Sequence, residues 1–432
     1  MLRPWGPAPG QGSQHTGPRP RPRQGEVWTR IAVGAGRTIG RLSRQLGLGE
    51  GAVIGGRVTL ALDRGVLRRL ATGRRVVLVT GTNGKTTTAH LVAAALRTAG
   101  VVAHNDTGAN MVDGAVAALV ARPDAPFAVL EVDELHLAQV AAAASPTVVV
   151  LLNLTRDQLD RSTEVAAVAA SIGQALQAQP QALVIANCDD PVVVAVVDGQ
   201  QRVGWVAFGG NWLDDATLCP RCGERLSREG TDWSCLSCGL RRPEAQWRFG
   251  DGVVEGPEST VPLALQLPGE HNRGNAAAAV AAATALGVAP ASAAAAIAAV
   301  RSVAHRYALV ERGAQRLTLL LAKNPASWRE TLPLLAKAHG LLLAVNAREA
   351  DGRDTSWLWD IPFEELPQLP TVASGDAAPD LGLRLSYAGI AHDTVADPLA
   401  ALERLPSGEV AVVANYTAFT HLWHALERTT GP

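Results

Sequence analysis

Aromatic side chains make up only 4% of this 432-residue chain, and acidic and basic residues almost cancel to a net charge of −1. A nucleic-acid-binding surface needs a basic excess interleaved with stacking aromatics, and a polybasic membrane surface needs a charge imbalance. Whole-chain composition supports neither. The first 25 or so residues are rich in Pro, Gly, Gln and Arg and lack the apolar core of a secretory signal peptide, so they are expected to be disordered. A long, strongly hydrophobic run is missing too. The uncharged stretch Asn275 to Val300 is mostly alanine, too weak to insert, and Gly287-Val288-Ala289-Pro290 divides it into two helices. What remains is a chain 47% apolar, filled by alanine and valine, long enough for two or three domains and suited to closely packed α/β layers.

The strongest local signal begins at Val76. A short β-branched run to Val79 ends in Thr80, Gly81, Thr82, Asn83, Gly84, Lys85, Thr86 and Thr87, after which the chain turns alanine- and leucine-rich. Strand, glycine-bounded turn and helix are the setting of a phosphate-binding loop. Its glycines let backbone N–H groups approach phosphate oxygens, Lys85 reaches the terminal phosphates, and Thr86 supplies a ligand for Mg²⁺. The common spacing G-x-x-x-x-G-K-S/T would place glycine where Val79 stands, so the loop is a compact variant.

Further apolar runs at Val101 to His104, Phe127 to Glu134 and Thr147 to Leu152 read as strands separated by alanine-rich helices. That pattern predicts a doubly wound parallel sheet with its ligands at the carboxyl ends of the strands. Glu131 ends one such run. The residues alone leave it open between a Mg²⁺ ligand and part of a surface acidic cluster with Asp133 and Glu134. Asn153 to Arg161 follows the next strand, and Asn187, Cys188, Asp189 and Asp190 follow another, which suggests a shared site. His271, Asn272 and Asn275 stand before the alanine-rich pair, either to contact a nucleotide or to cap the next helix. Past Arg306, strands ending in polar residues recur at Arg316 to Pro325, Gly340 to Asn346 and Glu409 to Thr417 and mark a second α/β domain. The segment Asp351 to Asp360 mixes charge with tryptophan and has a bland explanation as a packed turn.

Cysteine is scarce, but four of the five fall in two pairs. Cys219 and Cys222 form one C-x-x-C knuckle, Cys235 and Cys238 a second, twelve residues apart, with Gly223 and Gly239 closing each turn. Four thiolates at this spacing predict a tetrahedral structural Zn²⁺ site with no open position for substrate. Two disulfides are disfavoured without a secretion signal. Cys188 is expected to be a buried thiol. The expected organisation is a tail over 1–26, a central ATP-binding domain over 27–305 with a zinc ribbon inserted at about 216–243, and a C-terminal Rossmann-like domain over 306–432.

Together these features resemble the Mur ligase superfamily of ATP-dependent peptide-bond formers and their folylpolyglutamate synthase relatives. The family loop T-G-T-N-G-K-T-T is matched at every position by Thr80 to Thr87. Glu131, Asn153 to Asp160, Asn187, Asp189, Asp190, His271, Asn272 and Asn275 look like the family's metal and nucleotide positions, and Arg306 is placed with the nucleotide-binding group. Three departures narrow the resemblance: Gln158 replaces a metal-binding histidine, fewer than 80 residues precede the loop where a UDP-sugar domain is usual, and the four-cysteine ribbon interrupts the central domain. These, with the Asp351 to Asp360 segment, are similar to the MurT subfamily, the synthetase subunit of lipid II isoglutaminyl synthase. The resemblance implies a cytoplasmic ligase acting at the inner face of the membrane in peptidoglycan synthesis. ATP, Mg²⁺ and Zn²⁺ would be its cofactors, and a GatD-like glutamine amidotransferase its heterodimeric partner. It implies activation of the D-glutamate α-carboxyl of lipid II with Lys85 and Glu131 in catalytic roles. It also implies an aspartate lent to the partner's triad, placed on Asp354 ahead of Asp360 and Asp351. The alternatives are a stand-alone Mur or folylpolyglutamate-type amino-acid ligase and a zinc-ribbon nucleic-acid-binding NTPase. Nucleic acid is not expected as a partner.

Overall fold

A computed structural model describes residues 24–45, 52–105, 108–155, 165–209, 217–303 and 306–429. Residues 1–23 of the tail, Gln158 and the rest of 156–164 lie outside these residues, whereas Gln24, Gly25 and Glu26, placed with the tail by sequence, begin the first helix.

The chain opens with helices α1 (Gln24–Gln45), α2 (Ala52–Leu62) and α3 (Val66–Ala71), then enters β1 (Arg75–Thr80) and α4 (Lys85–Leu96). Alternation continues through β2 (Val102–His104), α5 (Val112–Ala121), β3 (Phe127–Glu131), α6 (Leu137–Ala144), β4 (Val148–Leu151), α7 (Val165–Gln177), β5 (Leu183–Asn187), α8 (Pro191–Val197) and β6 (Val203–Val206). The six strands form one sheet in the order β2-β3-β1-β4-β5-β6, every neighbouring pair parallel. The strand order reverses around β1, so the crevice for a ligand opens at its carboxyl end.

Period-two alternation divides the strand residues between two cores. Val77 and Val79 pack into one with α4 and the later alanine helices, while Val76 and Leu78 pack into the other with helices such as α5 and α6. Each is fully buried, a burial that contributes roughly 1.5–3 kcal/mol per side chain.

After β6 comes a two-stranded ribbon, β7 (Ser227–Glu229) with β8 (Asp232–Ser234), and then an antiparallel sheet of β9 (Arg248–Gly250), β10 (Val253–Gly256) and β11 (Ser259–Pro262). The uncharged stretch forms α9 (Glu270–Ala285) and α10 (Pro290–Ala298), broken at Gly287 with φ +86°. Ala276 to Ala283 are all within 2% of full burial, because methyl-sized side chains let α9 lie close against the sheet. No helix among the described residues is long and apolar enough to cross a membrane.

A second sheet follows. Its elements are β12 (Tyr307–Arg312), β13 (Gln315–Leu321), α11 (Pro325–Thr331), β14 (Gly340–Ala344), β15 (Thr371–Ser374), α12 (Ala378–Tyr387), β16 (Asp393–Thr394), α13 (Pro398–Leu402), β17 (Gly408–Ala414) and α14 (Tyr416–Thr429). The order is β12-β13-β17-β14-β15-β16, parallel except for the β12-β13 hairpin. Trp328 of α11, fully buried, meets Phe363 edge to face at 5.2 Å in its core.

Candidate functional site

The loop between β1 and α4 is fixed by contacts its sequence does not display. Gly81 has φ +131°, and a Cβ there would come within 2.9 Å of the Asn153 amide nitrogen. Gly84 has φ +84°, and its Cβ would meet Asn275 Oδ1 at 2.9 Å. Both positions therefore need glycine. Asn153, just past β4, holds the turn from outside. Its carbonyl accepts the Thr82 amide (2.9 Å), its Oδ1 accepts the Asn83 amide (2.8 Å), and its Nδ2 donates to Asn83 O (3.0 Å). Lys85, Thr86 and Thr87 form the first turn of α4, a helix end whose N–H groups and dipole favour an incoming anion.

Lys85 Nζ donates to Gly81 O (2.6 Å) and lies 3.1 Å from Glu134 Oε2. Thr86 Oγ1 accepts from Arg306 Nη2 at 2.9 Å, and Asn83 Oδ1 accepts from Asn324 Nδ2 at 3.1 Å. Arg306 and Asn324 flank β12 and β13, so the second sheet is tied directly to the loop of the first. Between the two lies a cavity of about 1140 Å³, walled by Lys85, Glu134, His271 and Asn275 on one side and by Lys323 and Glu330 on the other. His271 Nδ1 stands 3.3 Å from Glu330 Oε2, and desolvation raises the Glu330 carboxyl above its usual value against the pull of His271.

Glu131 is fully buried at the end of β3, paired with Val79 and on the same face as Val79 and Val129, the face α4 covers. Neither of its carboxylate oxygens has a hydrogen-bond partner. A buried carboxylate without donors is costly, and a divalent cation with oxygen ligands is what it fits. Glu134, for which the sequence leaves a surface acidic cluster as one of two open readings, faces Lys85.

The remaining sequence-selected residues separate. Asn272 and Asn275 line the cavity and are joined by an Asn275 Nδ2 to Asn272 Oδ1 bond of 3.1 Å. Asn187 and Asp189 do not line it. Asp189 pairs with Arg242 at 2.7 Å and accepts the Phe208 and Gly209 amides, while Asp190 caps α8. Asp351 is buried against the Thr417 amide (2.9 Å) and hydroxyl. Asp354 and Asp360 are exposed, with Asp354 accepting the Ser356 amide.

The four cysteines converge. Their sulfurs lie within 4.8 Å of one another, with Cys219 and Cys238 at 3.5 Å and Cys222 and Cys235 at 3.4 Å, all as free thiols. The knuckles are alike: the Gly223 amide donates to Cys219 O and the Gly239 amide to Cys235 O, with φ +78° and +76°. The Cys238 amide holds the Cys235 thiol down to about 7, so a thiolate is available near neutral pH. At Cys222 the Glu224 amide is the largest single influence and pulls down, but contacts with the Cys235, Cys219 and Cys238 thiols together with desolvation outweigh it and push the thiol up to about 12. This donor set fits a tetrahedral ion. Cys188 is buried outside the cluster, and burial raises its thiol far above the usual value.

Fold and loop together define a Mur-type ATP-dependent ligase. Residues 79–216 match the Mur ligase middle domain and residues 321–419 the MurT ligase C-terminal family. The MurT subunit of lipid II isoglutaminyl synthase (glutamine-hydrolyzing) of Streptococcus pneumoniae is 30% identical, over 86% of this chain and 91% of its own. That of Staphylococcus aureus strain N315 is 26% identical, over 93% and 98%. The structure of a pseudomurein peptide ligase type C from Methanothermus fervidus shares the fold, with TM-score 0.67 at 17% identity over 84% of this chain and 81% of that one. The chain belongs to the MurT family.

Proposed function

We propose that the chain is the synthetase subunit of a lipid II isoglutaminyl synthase, working in the cytoplasm at the inner face of the membrane with a GatD-like glutaminase subunit. The observation that carries this reading is the cavity in which the α4 amides and Lys85 face a second sheet matching the MurT C-terminal family.

In this reading Gly81, Thr82, Asn83, Gly84, Thr86 and Thr87 surround the ATP phosphates, and Lys85 leaves Glu134 to neutralise the group being transferred. Asn272, Asn275, His271 and Arg306 hold the remainder of the nucleotide. Thr86 and Glu131 are the residues that would hold magnesium, which when bound neutralises phosphate charge. The α-carboxylate of D-glutamate in the stem peptide attacks the γ-phosphorus and ADP departs. Ammonia then attacks the acyl carbon, phosphate leaves, and the nitrogen loses a proton to give D-isoglutamine. The cysteine cluster holds structural zinc.

Ammonia comes from the partner. Asp354 is exposed and free to enter another subunit's site, whereas Asp351 is held inside by Thr417, which supports Asp354 as the residue orienting the partner's histidine. The test is amidation of lipid II with ATP and glutamine, with and without the glutaminase. Turnover only with the partner, and loss of its glutaminase activity on Asp354→Asn, is expected. Glutamine-dependent amidation by the isolated chain overturns the reading.

A further inference from the structure

The helix α1 presents three faces. Ala32, Gly36, Gly40 and Ser43 are buried against the fold. The packing is close: a Cβ on Gly36 would fall 2.5 Å from Gly55 O of α2. On a second face Trp28, Ile31, Ile39 and Leu42 stand in solvent, Trp28 at 65% and Ile31 at 53% exposure. Their spacing of three, eight and three residues keeps them within one stripe of a 3.6-residue helix. The third face carries Arg30 and Arg41, both exposed, and Arg37, which donates to Val120 O.

We infer that α1 lies on the surface of an anionic lipid bilayer, its apolar stripe in the acyl boundary and its arginines among the headgroups. An amphipathic helix with tryptophan and isoleucine on one side and arginine beside them is built for that interface. Charge selects the occupant. Residues 1–49 hold eight arginines and one acidic residue, Glu26, although the whole chain sums to −1, so averaging hides the imbalance. A second copy docking face to face would set these arginines against their equals, whereas anionic headgroups neutralise them. The apolar stripe is of no use to a nucleic acid. From α1 only α2 intervenes before the cavity rim, because Arg57 of α2 pairs with Asp113 at 2.7 Å in the first turn of α5, beside Met111 in the cavity wall. Its purpose, delivering the cavity to a lipid-anchored substrate, rests on the function proposed above, but the docking is read from α1 alone.

The full chain is mixed with vesicles of phosphatidylglycerol and phosphatidylcholine in equal parts, or of phosphatidylcholine alone, free of any cell-wall precursor, and sedimented. Binding to the anionic vesicles is expected, reduced at least about tenfold by Arg30→Gln with Arg41→Gln or by Ile31→Ser with Leu42→Ser, and weakened by salt. All four positions are exposed, so melting temperatures stay at the wild-type value. No wild-type binding, equal binding to both vesicles, or unchanged binding by the variants overturns the proposal. So does a dimer that the Ile31→Ser, Leu42→Ser variant converts to monomer without altering vesicle binding. Amidation of a lipid-free stem-peptide substrate, with ATP, glutamine and the glutaminase subunit supplied, is measured in parallel. Its failure in every protein, wild type included, would count against the proposed function and not against docking.

Discussion

Lys85 and Glu134 form an ion pair with Nζ to Oε2 at 3.1 Å, their side chains only 7% and 12% exposed. In the proposed function Lys85 serves the terminal phosphate, so a nucleotide would have to displace the carboxylate. Glu134→Gln removes that competitor. With a chelator present, ADP is expected to bind about 3–10-fold more tightly by calorimetry, since a unit charge a few ångströms away at a partly buried site is worth about 1 kcal/mol or more. The nucleotide-free variant should lose roughly 3 kcal/mol of stability, because a buried lysine is left without its counter-charge. Weaker ADP binding would mean that Glu134 itself engages the nucleotide.

The two sheets meet through Arg306 to Thr86 and Asn324 to Asn83. A hydrogen bond to a charged group contributes about 1.5–3 kcal/mol and a neutral one about 1. Arg306→Ala should therefore lower kcat/KM for ATP by at least about tenfold and Asn324→Ala by about fivefold, with the double variant visibly more extended by small-angle scattering. Unchanged scattering with normal kinetics would show that closure does not depend on these bonds.

The loop was legible in the chain because strand, glycines, lysine and helix are contiguous there, and local geometry follows local sequence. Its support was not. Asn153 lies 70 residues from Asn83, Glu134 49 from Lys85 and Arg306 220 from Thr86, separations at which only folding shows who meets whom. Asp189 illustrates the same limit, since strand-end position grouped it with a nucleotide site while Arg242 engages it at the ribbon's base. The β9-β10-β11 sheet went unforeseen because three- and four-residue strands carry too little alternation to read.

Asp351 is a buried carboxyl, and burial raises it above its ordinary 3.8 although Thr417 donates to it from amide and hydroxyl. A raised carboxyl binds its proton more tightly in the fold than in the unfolded chain. Its contribution is thus full below pH about 3.8 and is lost as pH climbs through the folded value. Asp351→Asn keeps an oxygen for the Thr417 amide, can donate from Nδ2 to the Thr417 hydroxyl in place of the bond it accepted, and carries no charge. Denaturant melts should therefore find it at least as stable as wild type at pH 7, with the advantage gone by about pH 3.5. Thr417→Val, which removes the hydroxyl, should cost about 1–2 kcal/mol. A variant destabilised equally at both pH values would show that Asp351 is charged at no cost in the fold.

The ribbon provides the last test, because β7 and β8 are three residues each and a lone hairpin of that size does not hold itself together. Its small core is Leu226, Trp233 and Leu240 around the cysteines, and it reaches the central sheet through Arg242 to Asp189 and Trp233 Nε1 to Cys188 O at 3.3 Å. One zinc per chain is expected by elemental analysis, with none in Cys219→Ser or Cys235→Ser. Stripping the metal should expose 217–243 to protease and open an early melting transition ahead of the main one, since metal binding and folding of such a site are one event. ATP turnover should fall by less than about threefold, because no cysteine lines the cavity and a closed four-thiolate ion has no position for substrate. A collapse to the level of Lys85→Ala would instead assign the ribbon a direct part in the chemistry, and a zinc-free wild type with unchanged melting would remove the metal from the fold altogether.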